Sequence, residues 1–195
     1  MVIEKIEGPN LEQWLKQQQN LPISEGQALA WFKQLAEILG LVHNQQYVHR
    51  DIKPANIMIR PDGQLVLIDF GTTRGITITY VANNGAMISI SSSGYSPREQ
   101  MHGQAIPQSD FFVLGCTFVF LLTGCQPAQL YDSHLDILKW RHLANNVSPL
   151  LLDFIEVSNE INQRPENARK ILDKLTELEN QLIGSTSATV NIVGG

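Results

Sequence analysis

The sequence predicts a mainly α fold, a helical bundle with one small β-hairpin, and three observations predict it. Trp31, Phe32, Leu35, Ile38, Leu39 and Val42 recur at helical spacing and make one apolar stripe. The run from Phe111 to Leu122 is almost wholly apolar, falls short of the roughly 20 residues a membrane span needs, and closes on Thr123-Gly124, so it reads as a helix buried on all sides. Between them, Asn56-Ile57-Met58-Ile59-Arg60 and Gln64-Leu65-Val66-Leu67-Ile68 are β-rich runs separated by Pro61-Asp62-Gly63, a strong turn signal. With 195 residues, 43% hydrophobic and 17% charged, the chain suits a single globular domain with a real core.

The elements follow in order. Asn10 and Ser24 each precede a Gln at the third position, Gln13 and Gln27, which marks two helix starts of the capping-box kind. The second opens the long striped helix. After the hairpin, Pro97 favours a helix start, and the apolar helix follows. Leu135 to Leu143, Pro149 to Val157 and Glu166 to Leu182 read as three more helices, with 125–134 and 144–148 as loops. The small polar run Gly184-Ser185-Thr186-Ser187-Ala188-Thr189 reads as the start of a disordered tail over 184–195.

Composition narrows the function classes. A net charge of −5 gives no reason to expect nucleic acid or an anionic membrane as partner, and no segment reads as membrane-inserting. His43, His102, His134 and His142 have no metal-ligand spacing and are expected to pack or face solvent. Cys116 and Cys125 read as free thiols, which suits a reducing cytoplasm.

The chemistry concentrates in His49-Arg50-Asp51-Ile52-Lys53-Pro54-Ala55-Asn56, followed by Asp69-Phe70-Gly71. A phosphoryl-transfer transition state spreads negative charge over its oxygens, so positioning and electrostatic stabilisation do most of the catalysis. Asp51 can orient a hydroxyl and Lys53 can neutralise a phosphate. Magnesium prefers a few oxygen ligands and keeps waters, which Asn56 and Asp69 together suit. The hairpin brings these two to the same end, with Asp51 in the loop just before it. Each such residue alone would be an ordinary solvated loop residue; four at these spacings make a pattern.

At these residues the chain resembles a eukaryotic-type serine/threonine protein kinase, bacterial-like, with Lys53 two places after Asp51 pointing to the Ser/Thr branch. The resemblance implies transfer of the ATP γ-phosphate to Ser/Thr hydroxyls of a protein substrate, with ATP and Mg²⁺ as cofactors. It extends to Gly94-Tyr95-Ser96-Pro97-Arg98-Glu99, which stands where the family closes its activation segment, and to Arg164, which would pair with Glu99. It makes Asp110 a hydrogen-bond acceptor for backbone around His49 and Arg50, and His49 and Phe70 core residues. It makes Arg50 a receiver of phosphate from the activation segment, with Thr77, Thr79 and Ser89 as candidate sites and Ser92 assigned to substrate docking.

The family's Gly-rich loop, strand lysine and partner helix glutamate have no match here. Residues 1–8 therefore read as a hinge remnant and 9–183 as the C-terminal lobe only, with the N-terminal lobe of the same parent kinase as a missing partner. On that alignment Ile3 is the gatekeeper, the Glu4 carbonyl and the Ile6 amide meet the adenine edge, Asn10 lies near the ribose, and Met58 forms the adenine floor. The isolated chain is expected to turn over little. Two alternatives stand beside this reading: a pseudokinase-like binding module, and a small-molecule phosphotransferase sharing the His-x-Asp and the Asn five residues after that Asp.

Overall fold

Polar caps start the first two helices, as the sequence leads one to expect. The structure, a computed structural model, describes residues 5–70, 96–155 and 157–190, with 185–190 by backbone alone. Helix α1 (Leu11–Gln17) begins where Asn10 Oδ1 accepts from the Gln13 N–H at 2.8 Å and Gln13 Oε1 accepts from the Asn10 N–H at 3.0 Å. Helix α2 (Glu25–Asn44) begins where Ser24 Oγ accepts from the Gln27 N–H at 3.2 Å. Each cap satisfies a donor that the first turn would leave unpaired, worth about 1 kcal/mol. The α2 stripe enters the core: Phe32 meets Phe118 at 4.5 Å and Phe154 at 4.9 Å between ring centroids, and Trp31 packs edge-on against Trp14 at 5.1 Å.

Helix α4 (Pro107–Thr123) lies at the centre, with Leu114, Phe118, Leu121 and Leu122 all at 1% exposure or less. Its absence of a polar face is explained by that position. It stops at Gly124, whose φ of +70° is open to glycine, and the Gly124 N–H closes on the Phe120 carbonyl at 2.7 Å. Helix α7 (Ala168–Val190) lies along α2, and close approach is possible because residue 40 is glycine: a Cβ there would stand 3.2 Å from that of Ala168. The helix runs beyond residue 184, where the sequence suggested a disordered tail. Small polar residues without proline can prolong a helix already nucleated by a packed face.

A second departure lies between residues 131 and 143. The sequence suggested a helix over Leu135–Leu143; the chain instead forms a short α5 (Pro127–Leu130), a hairpin and a 3₁₀ turn at Arg141–Leu143. The hairpin pairs β3 (Tyr131–Asp132) antiparallel with β4 (Ile137–Leu138); β1 and β2 belong to the site below. Asp132 Oδ1 accepts from the N–H groups of His134 and Leu135 at 2.9 and 3.1 Å, and Asp136 adopts a φ of +58°. Asp and Asn are the residues that make such turns and tolerate that backbone. The Asp136 carboxylate also collects Arg98, the Tyr131 hydroxyl and Asn159, fixing the hairpin to its neighbours.

The short helix α3 (Arg98–Met101) is anchored from the far end of the chain, beyond α6 (Pro149–Phe154). Arg164 Nη1 donates to Glu99 Oε1 at 2.6 Å, with the two side chains only 3% and 9% exposed. Ser109 Oγ donates to the same oxygen at 2.6 Å, and the guanidinium also reaches the carbonyls of Ser158 at 2.8 Å and Asn159 at 3.0 Å. Phe112 supplies its ring face 4.8 Å from the guanidinium carbon. Burial pushes the Glu99 carboxyl up, but the hydrogen bonds from Arg164 and Ser109 outweigh it and hold the carboxyl below the usual range. A carboxyl depressed in the native state stabilises the fold above its unfolded pKa and loses that contribution as pH falls through the native value. Glu99→Ala should therefore cost about 3 to 5 kcal/mol at neutral pH, by leaving Arg164 uncompensated. Urea unfolding checks it, and an unchanged midpoint would contradict it.

Candidate active site

The site is built on a hairpin and the loop that precedes it. Strand β1 (Ile57–Ile59) pairs antiparallel with β2 (Leu65–Leu67) in the register Ile57↔Leu67, Met58↔Val66, Ile59↔Leu65. The turn between them is closed by the Gly63 N–H on the Arg60 carbonyl at 2.9 Å and by Asp62 Oδ1 on the Gln64 N–H at 3.0 Å. At the other end the Ile68 N–H donates to the Asn56 carbonyl at 2.9 Å. That bond continues the ladder and puts Asn56 opposite Ile68, one residue from Asp69. On the outer side of β1 the Ile59 N–H donates to the Pro9 carbonyl at 3.0 Å, and Asn10 bridges Met58. Gly8 makes that approach possible: with φ at +116°, a Cβ there would stand 2.1 Å from the Ile59 carbonyl oxygen.

The loop is held from beneath by Asp110, whose side chain is fully buried on α4. Its Oδ2 accepts from the His49 N–H and its Oδ1 from the Arg50 N–H, both at 2.8 Å. Arg50 has a φ of +70°, an uncommon conformation for a non-glycine residue. It is held on both sides, since its carbonyl also accepts from Gln100 Nε2 at 2.6 Å. His43 completes the set, with Nε2 at 2.8 Å from Asp110 Oδ2.

His49 links the loop to the hairpin end. Its Nε2 lies 3.1 Å from the Ile68 carbonyl, and its Nδ1 accepts from the Asp51 N–H at 3.3 Å. This arrangement needs the neutral ring protonated at Nε2. Its ring packs against Phe70 at 4.7 Å between centroids, with the planes tilted by 52°. Burial lowers the His49 pKa despite the nearby carboxylates of Asp110, Asp51 and Asp69.

Of the four candidate residues, Asp51 accepts from both Lys53 and Asn56. Lys53 Nζ donates to both carboxylate oxygens of Asp51, at 3.0 and 2.9 Å. Asn56 Nδ2 donates to the Asp51 carbonyl at 2.9 Å and to Asp51 Oδ2 at 2.8 Å. Its amide hydrogens are thereby used, and its Oδ1 is left as the acceptor. Asp69, with a φ of +55°, is exposed at the hairpin end.

The residues assigned to the adenine side are less complete. Ile6 and Met58 are half-buried, and the backbone bridge brings Asn10 to Met58. Asn10 spends Oδ1 on its helix cap, which leaves its amide N–H groups as donors. Glu4 and Ile3 lie outside the described residues, as do Thr77, Thr79, Ser89 and Ser92. Sequence reasoning missed His43 and Gln100. His43 falls at helical spacing from the buried Ala36 and Leu39, a signal that it faces the interior. Nothing in the sequence marks Gln100.

A buried carboxylate thus grips the backbone of an Asp-Lys-Asn loop beside a hairpin whose end carries Asp69 and Phe70. The model for the protein kinase domain matches residues 1–187, and the chain belongs to the protein kinase family. It is 38% identical over 182 residues to the serine/threonine-protein kinase PknA of Nostoc sp., covering 90% of this chain and 32% of that protein. To serine/threonine-protein kinase F of Synechocystis sp. it is 36% identical over 157 residues, covering 80% and 31%. The chain thus spans about a third of the length of these curated relatives. The crystal structure of the Mycobacterium tuberculosis PknI kinase domain matches with a TM-score of 0.67 at 20% identity, over 90% of this chain and 63% of that one, a likeness of fold.

These matches correct the expectation of a C-terminal lobe alone. The family model begins at residue 1 and the solved structures matched are kinase domains, so neither an absent N-terminal lobe nor that lobe as a missing partner stands. The expectation was drawn from three unmatched motifs ahead of the catalytic loop. Missing side-chain motifs do not delimit a fold, because packing and backbone bonding define it and leave little trace in such motifs. Among the described residues, no helix is long and apolar enough to cross a membrane.

The buried neutral His49 has a consequence for pH. Its native pKa lies below the unfolded value near ~6.5, so as pH falls below that value the unfolded chain takes up a proton that the native chain refuses. Stability attributable to His49 is complete above the unfolded pKa and declines as pH drops towards the native one. Relative to a His49→Phe variant, the wild type should lose melting temperature over that window. Parallel curves would contradict it.

Proposed function

We propose that this chain carries serine/threonine protein kinase chemistry, transfer of the γ-phosphate of ATP to a Ser or Thr hydroxyl of a protein substrate. The observation that carries the reading is the bonded cluster of Asp51, Lys53 and Asn56 on a loop whose backbone Asp110 fixes. The kinases to which the chain is similar support it. ATP and Mg²⁺ use is typical of the family.

In this reading Asp51 is the catalytic carboxylate. Lys53 and Asn56 fix its plane, and Oδ1, which holds a single bond from Lys53 among the described residues, keeps a lone pair for the incoming hydroxyl. Orienting that hydroxyl converts an encounter into a positioned attack. Lys53, on the same face, also counters charge on the transferred phosphoryl group. Asn56 Oδ1 and the exposed Asp69 carboxylate are hard oxygen donors that fit Mg²⁺ and would hold it; bound there, the ion neutralises phosphate charge.

On the nucleotide side, the Glu4 carbonyl and Ile6 amide are proposed to meet the adenine edge, Met58 to floor it, and Asn10 to donate to the ribose. The backbone bridge between Asn10 and Met58 supports a shared role for the last two. The reading includes a cytoplasmic setting, which the free thiols of Cys116 and Cys125 support. Burial pushes the Cys116 thiol up to about 12, so it stays protonated.

The test is radiolabel transfer from Mg·ATP to a protein substrate by the full-length protein. Asp51→Asn should lower kcat by roughly 10²- to 10⁴-fold with the melting temperature kept. Transfer that survives this substitution would contradict the reading; transfer to a small-molecule acceptor and not to protein would replace it with the phosphotransferase alternative.

A further inference from the structure

A single turn cannot hold itself as a helix, so α3 depends on what its side chains reach. Glu99 is fastened to Arg164 and Gln100 to the Arg50 carbonyl, both at 2.6 Å. Between Pro97 and Glu99, Arg98 leans outward, its side chain 60% exposed, and donates from Nη2 to Asp136 Oδ2 at the end of the β3–β4 turn. An exposed ion pair ordinarily contributes little, because two long side chains give up their freedom to meet.

Here one partner is already ordered by other bonds. Asp136 Oδ1 accepts from the Tyr131 hydroxyl and from Asn159 Nδ2 at 2.9 Å, and the same amide nitrogen reaches the Asp136 carbonyl at 2.9 Å. These bonds brace residue 136 in its left-handed backbone and leave Oδ2 for the guanidinium. The bond to the carboxylate raises the Tyr131 pKa above its ordinary value, so the hydroxyl stays a donor at neutral pH. Asn159 in turn accepts at its carbonyl from Arg164 Nη2 at 3.0 Å. A closed circuit results, from Arg98 through Asp136, Asn159 and Arg164 to Glu99, the next residue in the chain.

We propose that Asp136 and Arg98 form a latch by which the β3–β4 hairpin positions α3 for the acceptor protein. Gln100, on the same turn as Arg98, passes the constraint to the Arg50 carbonyl, directly before Asp51. The nucleotide side is built on α1 and β1 instead, so the latch bears on where the acceptor hydroxyl is presented and not on ATP. Both are positioning residues and neither touches the reacting atoms. The functional consequence rests on the kinase reading; the latch itself is measurable without activity.

Two measurements on the full-length protein test it. Amide hydrogen exchange at Met101 and His102, whose N–H groups close α3 on the carbonyls of Pro97 and Arg98 at 3.2 and 3.3 Å, reports whether the turn is held. Arg98→Met should lower that protection about threefold or more, and so should Asp136→Asn, in which asparagine keeps the left-handed backbone. The double variant should lose no more than either single one, and Arg98→Lys should keep most of the protection. In phosphate transfer from Mg·ATP to dephosphorylated casein, the same variants should raise KM for casein in the same order and leave KM for ATP unchanged. Melting temperature should move little, as befits an exposed pair. Unchanged protection in the single variants, additive losses in the double, or equal rises in both KM values overturns the proposal. A steep fall in melting temperature overturns it too, since the pair would then serve the fold alone. A wild type that transfers no phosphate to protein, with the exchange coupling as expected, faults the kinase reading and not the latch.

Discussion

The structure depends on one buried carboxylate. Asp110 lies at the start of the most buried helix, fully shielded from water, and spends both oxygens on the loop proposed to carry the chemistry. An ionised group at such depth is tolerated only when its lone pairs are satisfied. The donors that satisfy it are two consecutive main-chain N–H groups, so desolvation of the carboxylate and geometry of the loop are a single constraint. The loop cannot relax at Arg50 without stranding Asp110, and this coupling is how the strained backbone before Asp51 persists. Gln100 on the Arg50 carbonyl ties the same peptide to α3, which Glu99 and Arg164 fasten to the C-terminal part of the chain. Core, ion pair and loop are thus mechanically continuous.

Around this anchor, the site divides into a bonded part and an open part. Lys53 and Asn56 hold the Asp51 carboxylate at 2.8–3.0 Å, so in the proposed reading it is preorganised to present a lone pair to a hydroxyl. Asp69 is exposed just beyond the end of β2, where the proposed reading has it meet the metal ion. Phe70, half exposed, rests on His49 and so connects the hairpin end to the anchored loop.

Much of this was legible in the chain because the responsible signals are local. The Asn10 and Ser24 caps, the α2 stripe, the uniformly apolar α4 and the Pro61-Asp62-Gly63 turn each act through residues a few positions apart, and each formed where expected. Asp51, Lys53 and Asn56 likewise come together as their spacing suggested, which is the geometric part of that expectation. The hairpin at 131–138 was not, because apolar periodicity around Leu135 suggested a helix while the outcome was set by Asp132 and Asp136 bonding the backbone. The end of α7 was missed because polar composition was taken as disorder, although a packed helix carries such residues onward. His43 and Gln100 escaped because their roles depend on partners 67 and 50 residues away. The boundary of the domain was misjudged for a different reason: unmatched motifs were read as an absent lobe.

The central claim is that the Asp110 carboxylate, through the loop backbone, sets the geometry in which Asp51 works. Steady-state kinetics of an Asp110→Asn variant of the full-length protein test it most directly. Asparagine keeps the shape but turns an N–H₂ towards one of the main-chain donors, so one of the two loop bonds must be lost. The account predicts a fall in kcat of roughly 10²-fold or more, the scale on which misplacement of reacting groups by about 1 Å acts, with the KM for ATP little changed. A variant that folds and keeps the wild-type kcat would contradict it.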